Sequence, residues 1–230
     1  MIPRFFAIAV CFCSFAQTVT AQEPSEKRAK PKEKTVAILI FDGVELLDFA
    51  GPAEVFVVAA QKYPFKVITV SNKKGLVKTM GGLRVEANFS FDDAPDADVI
   101  VVPGGNTSSV GKEGIQWIRK SHKSADVVMS VCFGAFLLAE AKLLDDIEAT
   151  THTWGLDSLE SAAPRCTVVR NQRFVDSGKI VTTAGVTAGI DGALHVVKRF
   201  AGEEVAKWTG ESWMEHRMPH SPRKPSPKKP

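Results

Sequence analysis

Residues Asp126–Glu140 read DVVMSVCFGAFLLAE, an apolar run followed by a segment rich in Ala and Leu. The first part, Val127–Val131, is typical of a buried strand, and the second part favours a helix. Cys132 stands at the junction, and the small residues Gly134 and Ala135 leave room for a sharp turn. Such a turn exposes its residue at the carboxyl edge of a sheet. The spacing therefore predicts a nucleophile elbow with Cys132 as the nucleophile.

The helix after Cys132 would point its amino end at the sulfur atom. The partial positive charge there favours the thiolate over the thiol, so we expect a reactive cysteine with a lowered pKa. The competing interpretation is a small buried hydrophobic residue, a common role for free cysteine. The order of strand, cysteine, small residues and helix favours the reactive role.

The chain has 230 residues, 44% of them hydrophobic, which suits one α/β domain with tails. Apolar runs rich in β-branched residues alternate with helical segments along the chain. This alternation predicts a three-layer α/β/α sandwich with a mainly parallel central sheet, of the flavodoxin-like kind. The predicted strands are Thr35–Phe41, Phe65–Val70, Asp98–Val102 and Val127–Val131, followed by a hairpin within Arg173–Thr183.

Ligands of open parallel sheets bind beyond the carboxyl ends of the strands. Asp48, Gly104, Gly105, Cys132 and His152 all follow predicted strands. We therefore expect these five residues to converge at one edge of the sheet.

Several helix details are also predicted. The regular part of the first helix should start at Pro52, since proline suits the first helical position. Thr187 should cap a later helix, with Asp191 as a favourable charge in its first turn. The last element should be an amphipathic helix over Glu203–His216, and Glu45 should lie on the surface.

The first 21 residues have the pattern of a secretory signal peptide. Arg4 supplies the positive charge, Phe5–Phe15 the apolar core, and Val19-Thr20-Ala21 the small-residue cleavage site. The apolar run is too short to anchor the chain in a bilayer. We expect export to the periplasm or the outside of the cell, with no membrane span.

Two further segments, residues 22–34 and 217–230, are rich in Pro and Lys and poor in apolar residues, so they should be disordered. The folded domain is expected over residues 35–216. The net charge of +3 comes from these ends, and the domain itself is mildly acidic. It has no basic stripe interleaved with aromatic residues, so nucleic-acid binding is not predicted.

Two cysteines, Cys132 and Cys166, remain after removal of the signal peptide. Because they belong to separate predicted elements, we expect two free thiols. The sequence has no Cys-x-x-Cys pair and no His cluster with zinc-ligand spacing, so no metal site is predicted.

Five ordered motifs resemble the ThiJ/PfpI superfamily, which has the class I glutamine amidotransferase-like fold. The branch they resemble most contains isonitrile hydratase-like proteins and the sensor domains of AraC-type regulators; the regulators' DNA-binding domain is not expected here. The motifs are Phe41–Phe56 (FDGVELLDFAGPAEVF), Val101–Gly105 (VVPGG), Ser130–Asp145 (SVCFGAFLLAEAKLLD), Ala149–Trp154 (ATTHTW) and Thr182–Val197 (TTAGVTAGIDGALHVV).

The resemblance implies a site. Cys132 would be the nucleophile, and Asp48 would be an acid that hydrogen-bonds the sulfur. Backbone amides around Gly105 and Phe133 would form an anion pocket. These are roles that nucleophilic catalysis requires in general. The family also implies a homodimer, and the chemistry needs no metal or organic cofactor.

The sequence departs from its relatives at Phe133. Isonitrile hydratases typically have Thr after the cysteine, and PfpI-type proteases have His. Glutamine amidotransferases need a late His-x-Glu, which His195-Val196-Val197 does not supply, so that activity is excluded. His152 has two interpretations, a site residue or a satisfied core histidine.

Three hypotheses about function follow. The leading one is an exported, cofactor-independent hydratase of the isonitrile hydratase type, in which Cys132 attacks a small electrophile and Asp48 carries the proton. The alternative is a non-enzymatic module that uses Cys132 to sense a small ligand or an oxidant. A weaker alternative is a glyoxalase- or deglycase-like detoxifier that combines Asp48, Cys132 and His152.

Overall fold

The computed structural model describes residues 31–216. The predicted signal peptide, most of the predicted linker over 22–34, and the predicted tail over 217–230 lie outside the described residues. The domain begins slightly earlier than predicted, since the first strand starts at Lys34 rather than Thr35. The Lys34 ammonium donates to Asp98 at 2.8 Å and to Asp126 at 2.9 Å, which fixes the start of the strand.

Eleven strands occur in the described residues, and seven of them form the central sheet. They are β1 (Lys34–Leu39), β2 (Phe65–Ser71), β3 (Gly75–Lys78), β4 (Arg84–Ala87), β5 (Phe89–Ser90), β6 (Val99–Val102), β7 (Val127–Val131), β8 (Glu148–Ala149), β9 (Thr167–Val168), β10 (Phe174–Ser177) and β11 (Ile180–Thr183).

The central sheet has the order β10-β11-β7-β6-β1-β2-β5. Every neighbouring pair is parallel except the β10–β11 hairpin at one edge. The chain therefore winds outward from β1 in one direction and from β6 in the other, and the switch between the two directions lies between these strands. This confirms the predicted mainly parallel sheet.

The helices flank the sheet in two groups, α1 with α5 and α6, and α2 with α3 and α4. The three-layer architecture is thereby confirmed. No helix among residues 31–216 is both long and apolar enough to cross a bilayer. The helices are α1 (Leu46–Ala59), α2 (Gly111–Ser124), α3 (Gly134–Glu140), α4 (Leu156–Ala162), α5 (Ala188–Ala201) and α6 (Glu203–Lys207).

The middle of the sheet explains why its strands are continuous apolar runs. All residues of β6 and β7 are completely buried, because helices cover both faces. The elbow thus projects from the most rigid part of the domain.

The start of α1 was predicted incorrectly. The helix begins at Leu46, and Pro52 lies inside it rather than at its first position. Proline cannot donate to the carbonyl four residues earlier, but burial of Asp48, Phe49 and Gly51 holds the first turns in place. Tertiary packing has overridden the local signal, and Asp48 lies on a helix instead of a loop.

The chain end differs as well. The predicted helix over Glu203–His216 is interrupted, because α6 ends at Lys207 and a π-helical turn over Trp208–Trp213 follows. The edge strand β5, which pairs in parallel with the end of β2, carried no sequence signal because it has only two residues.

The first turn of α5 holds a buried ion cluster. Asp191 was expected to be a helix-start charge, but it has no solvent exposure. It accepts hydrogen bonds from Arg173 and from His216, the latter at 2.7 Å. Thr187 precedes the helix as predicted but makes no side-chain cap; its hydroxyl accepts from Arg173 instead. The cluster ties the start of α5 to the segment before β10 and to the last turn of the domain.

We expect Asp191→Ala to lower the free energy of unfolding by roughly 2–4 kcal/mol, because it leaves Arg173 and His216 without their buried partner. Urea denaturation would measure this loss. Asp157→Ala is the matched control, since Asp157 pairs with Arg170 while 89% exposed. Equal stability of the two variants would show that the buried cluster contributes nothing special.

Candidate active site

Cys132 sits at a strained turn between β7 and α3. Its φ is +55°, a left-handed conformation that a residue with a side chain rarely adopts. Hydrogen bonds hold it there: its N–H donates to the Ala184 carbonyl at 3.0 Å, and its carbonyl accepts from the Thr151 hydroxyl at 2.7 Å. A Cβ at Gly134 would collide with the Val102 carbonyl, so only glycine fits after the turn. The predicted elbow geometry is present.

Asp48 lies beside the thiol with no solvent exposure. Its Oδ2 accepts a hydrogen bond from the Gly104 N–H at 3.0 Å. Its Oδ1 has no hydrogen-bond partner of good geometry among the described residues, which leaves one oxygen free for proton exchange. A Cβ on Gly104 would lie 2.8 Å from Oδ2 and 2.7 Å from the Phe133 nitrogen, so the carboxylate and the elbow require glycine at this position.

Burial raises the affinity of both side chains for a proton. Burial raises the pKa of Asp48 to about 6, and the Glu45 carboxylate adds to the shift. Burial raises the pKa of Cys132 to about 12, and the Asp48 carboxylate adds to it. The expected lowering of the Cys132 pKa is therefore wrong in direction, because desolvation and the neighbouring charge outweigh the amino end of α3. At neutral pH the pair holds one proton, and the sulfur carries it.

Two backbone amides oppose this shift and stabilise negative charge on the sulfur. One is the N–H of Phe133, as the family resemblance implies, and the other is the N–H of Val186. Val186 was missed in the sequence. It has φ of +51°, unusual for a β-branched residue, and it follows β11 at the same sheet edge. Its position after a predicted strand was the one feature of the sequence that could have identified it as a site residue.

His152 and Phe133 lie together on one wall of the site. Their rings meet edge to face with centroids 5.6 Å apart, and the His152 ring also meets Trp154 at 5.0 Å. Nδ1 of His152 accepts from the Trp154 N–H at 3.2 Å, which orients the ring. Gly185 lies flat against the imidazole, since a Cβ there would overlap the ring.

A pocket of about 430 Å³ opens above the thiol. It brings together four of the predicted site residues, Gly105, Cys132, Phe133 and His152, while Asp48 and Gly104 lie behind it. Glu45 is half-buried and lines the pocket, so its expected surface position is wrong. The sequence also missed Met80, Trp154 and Val186, because hairpin and loop residues reach this edge only through the tertiary fold.

Metal and disulfide chemistry have no residues arranged for them in the described part of the chain. No group of three or more His, Cys, Asp or Glu side chains among residues 31–216 could hold a metal ion. Cys132 and Cys166 are both free thiols.

Comparison with known proteins identifies the family of the chain and supports its fold. Residues 34–199 match the DJ-1/PfpI family. The chain is 33% identical to an isonitrile hydratase of Pseudomonas putida over 75% of its own length and 74% of the relative's. It is 25% identical to the HTH-type transcriptional regulator GbdR of Pseudomonas aeruginosa over 87% of its length, but spans only 56% of that regulator. The crystal structure of a ThiJ/PfpI family protein from Pseudomonas syringae superposes with a TM-score of 0.73 and 24% identity, covering 91% of this chain and 86% of the other.

Gly185→Ala should destabilise the domain by roughly 1–3 kcal/mol, because the new methyl group must displace His152 from the pocket wall. The free energy of unfolding in urea would measure this. Gly81→Ala is the control, since a Cβ at Gly81 meets no atom within 4 Å. Equal effects of the two substitutions would contradict the close packing of Gly185 on His152.

Asp48→Asn should lower the pKa of Cys132, because it removes the carboxylate charge that disfavours the thiolate. Iodoacetamide should then alkylate Cys132 roughly tenfold faster at pH 8, since one pKa unit changes the thiolate fraction tenfold. The pH dependence of alkylation, followed on the Cys132 peptide by mass spectrometry, would measure this, with Cys166 as the internal reference. A slower reaction in the variant would show that Asp48 promotes the thiolate instead.

Proposed function

The chain belongs to the DJ-1/PfpI family, and from this premise we propose that it is a cysteine-dependent enzyme that hydrates a small electrophile of the isonitrile class. The proposal rests on one observation: a buried carboxylate with a raised pKa lies beside the elbow thiol at an apolar pocket. The 33% identity to an isonitrile hydratase supports the reaction class.

The paired groups suit addition to an isonitrile, R–NC. Asp48 takes the thiol proton while the Cys132 sulfur attacks the terminal carbon, and the same proton is then delivered to that carbon. The product is a thioimidate, R–N=CH–S–Cys132, in which the terminal carbon of the isonitrile has gained both the sulfur and the hydrogen of the thiol. The proton passes from the sulfur through Asp48 to the substrate carbon without entering solvent. A high thiol pKa is therefore no obstacle, because Asp48 with its raised pKa is a competent base.

Water completes the reaction. It adds to the thioimidate carbon, the nitrogen gains a proton, and the carbon–sulfur bond breaks to give the formamide R–NH–CHO and the free thiol. Negative charge develops on the departing sulfur, where the Phe133 and Val186 amides are placed to stabilise it. The overall change is one water added to one isonitrile, which requires no cofactor.

A second candidate function is supported by the similarity to a transcriptional regulator over 87% of the chain. In that case the pocket would bind a small apolar ligand without converting it. Oxidant sensing through Cys132 fits less well, because a buried thiol with a raised pKa contains little of the thiolate that peroxides attack. Export and homodimer formation stay predictions from the sequence and the family.

The test is turnover of cyclohexyl isocyanide by residues 22–230, followed as N-cyclohexylformamide by mass spectrometry. Cys132→Ala should abolish product formation. Asp48→Asn should lower kcat/KM by roughly 10²–10⁴-fold, because it removes the base, even though its thiol is the more acidic one. Opposite effects of this one substitution on alkylation and on turnover would separate proton transfer from simple thiol acidity.

Wild-type protein that binds the isonitrile but forms no formamide would overturn the enzyme and favour the ligand-binding candidate. A parallel assay with methylglyoxal, in which lactate formation is measured, tests the glyoxalase alternative. Glu54→Gln is a suitable control for both assays, because Glu54 lies on the exposed side of α1.

A further inference from the structure

The pocket has carboxylates near it but no Lys or Arg side chain in its lining. Eight residues line it, and none of them is Lys or Arg. Glu45 is half-buried and is one of the lining residues, and the buried Asp48 carboxylate lies behind the pocket. The Glu45 carboxylate is close enough to add to the rise in the Asp48 pKa that burial causes. The His152 ring is oriented by the hydrogen bond that its Nδ1 accepts from the Trp154 N–H. A ligand in this pocket therefore lies near two carboxylates and meets no Lys or Arg side chain.

The Glu45 side chain has no structural task that would explain its position. Glu45 occupies the residue before α1, but its carboxylate makes no capping hydrogen bond. Its backbone does the positioning, since the Glu45 N–H donates to the Gly104 carbonyl at 3.0 Å. Arg173 contacts the loop before α5 through Thr187, yet its charge is paired with Asp191. The Glu45 side chain thus lies at the pocket, and its carboxylate has no salt bridge among the described residues.

The remaining wall is apolar and rigid on one side. The Phe133 ring is held by edge contact with Phe136, 5.8 Å between centroids, and by Gly155, where a Cβ would lie 2.8 Å from the ring. Trp154, which is 87% exposed, and Met80, which is 58% exposed, flank the mouth. Such a wall recovers energy from the burial of an apolar substituent and offers nothing to an ionic one.

We propose that the pocket selects uncharged electrophiles with an apolar substituent, and that Glu45 is the specificity residue that rejects anions. This inference rests on the proposed function only in treating the ligand as a substrate. The charge selection is a property of the pocket and can be measured without turnover. Repulsion across a partly solvated pocket predicts roughly a threefold to tenfold penalty for one negative charge.

Iodoacetamide and iodoacetate test this, because they transfer similar groups to sulfur and differ by one negative charge. The rate ratio of the two reagents at Cys132 is measured at pH 8 on the Cys132 peptide. The wild-type ratio should favour iodoacetamide, and Glu45→Gln should lower that preference roughly threefold to tenfold. Glu45→Lys should lower it further, and Glu54→Gln should leave it at the wild-type value.

An unchanged ratio in both Glu45 variants would overturn the inference, whether or not the protein hydrates isonitriles. Conversely, absence of hydration with a normal shift in the ratio would overturn the proposed function and leave the selection against anions in place. Glu45→Gln keeps the size of the side chain and removes no hydrogen bond found in the structure, so a folded variant is expected. Circular dichroism of each variant checks that it is folded, so that a changed rate ratio cannot be caused by unfolding.

Discussion

A carboxylate and a thiol buried side by side are the constraint on which this domain depends. Each loses hydration, and the charge of Asp48 makes ionisation of Cys132 still harder. The fold tolerates the arrangement because one proton serves both groups and three backbone amides, those of Gly104, Phe133 and Val186, face them. The site is therefore arranged to transfer a proton between Cys132 and Asp48 and does not need to take one from solvent.

The surrounding backbone is shaped by that requirement. Glycines stand where a Cβ would strike the pair or its supports, at Gly104 against Asp48 and at Gly134 against Val102. Cys132 and Val186 both adopt left-handed conformations, which cost energy for residues with side chains. Fully buried strands under the elbow and the ion cluster at the start of α5 supply the rigidity that keeps these turns in place.

The sequence predicted the parts of this design that follow from local patterns. Val127–Val131 is an apolar run in the sequence and a fully buried strand in the structure, and Cys132 forms the expected turn. What local patterns could not supply was the balance of opposing effects. The sign of the Cys132 pKa shift depends on how deeply two distant segments bury each other. The proposed role of Glu45 depends on α1 starting six residues before Pro52.

Phe133 connects these observations. A hydroxyl at this position could hold water, whereas the ring offers no polar atom to the pocket. Residue 133 therefore contributes to the sulfur only through its backbone N–H, beside that of Val186. Its packing on Gly155 and Phe136 makes it a fixed wall, so the available space lies toward Met80, Trp154 and Glu45. In the proposed enzyme, recognition is thus separate from chemistry, because apolar contact and the Glu45 carboxylate would select the ligand and the proton shared by Asp48 and Cys132 would react with it.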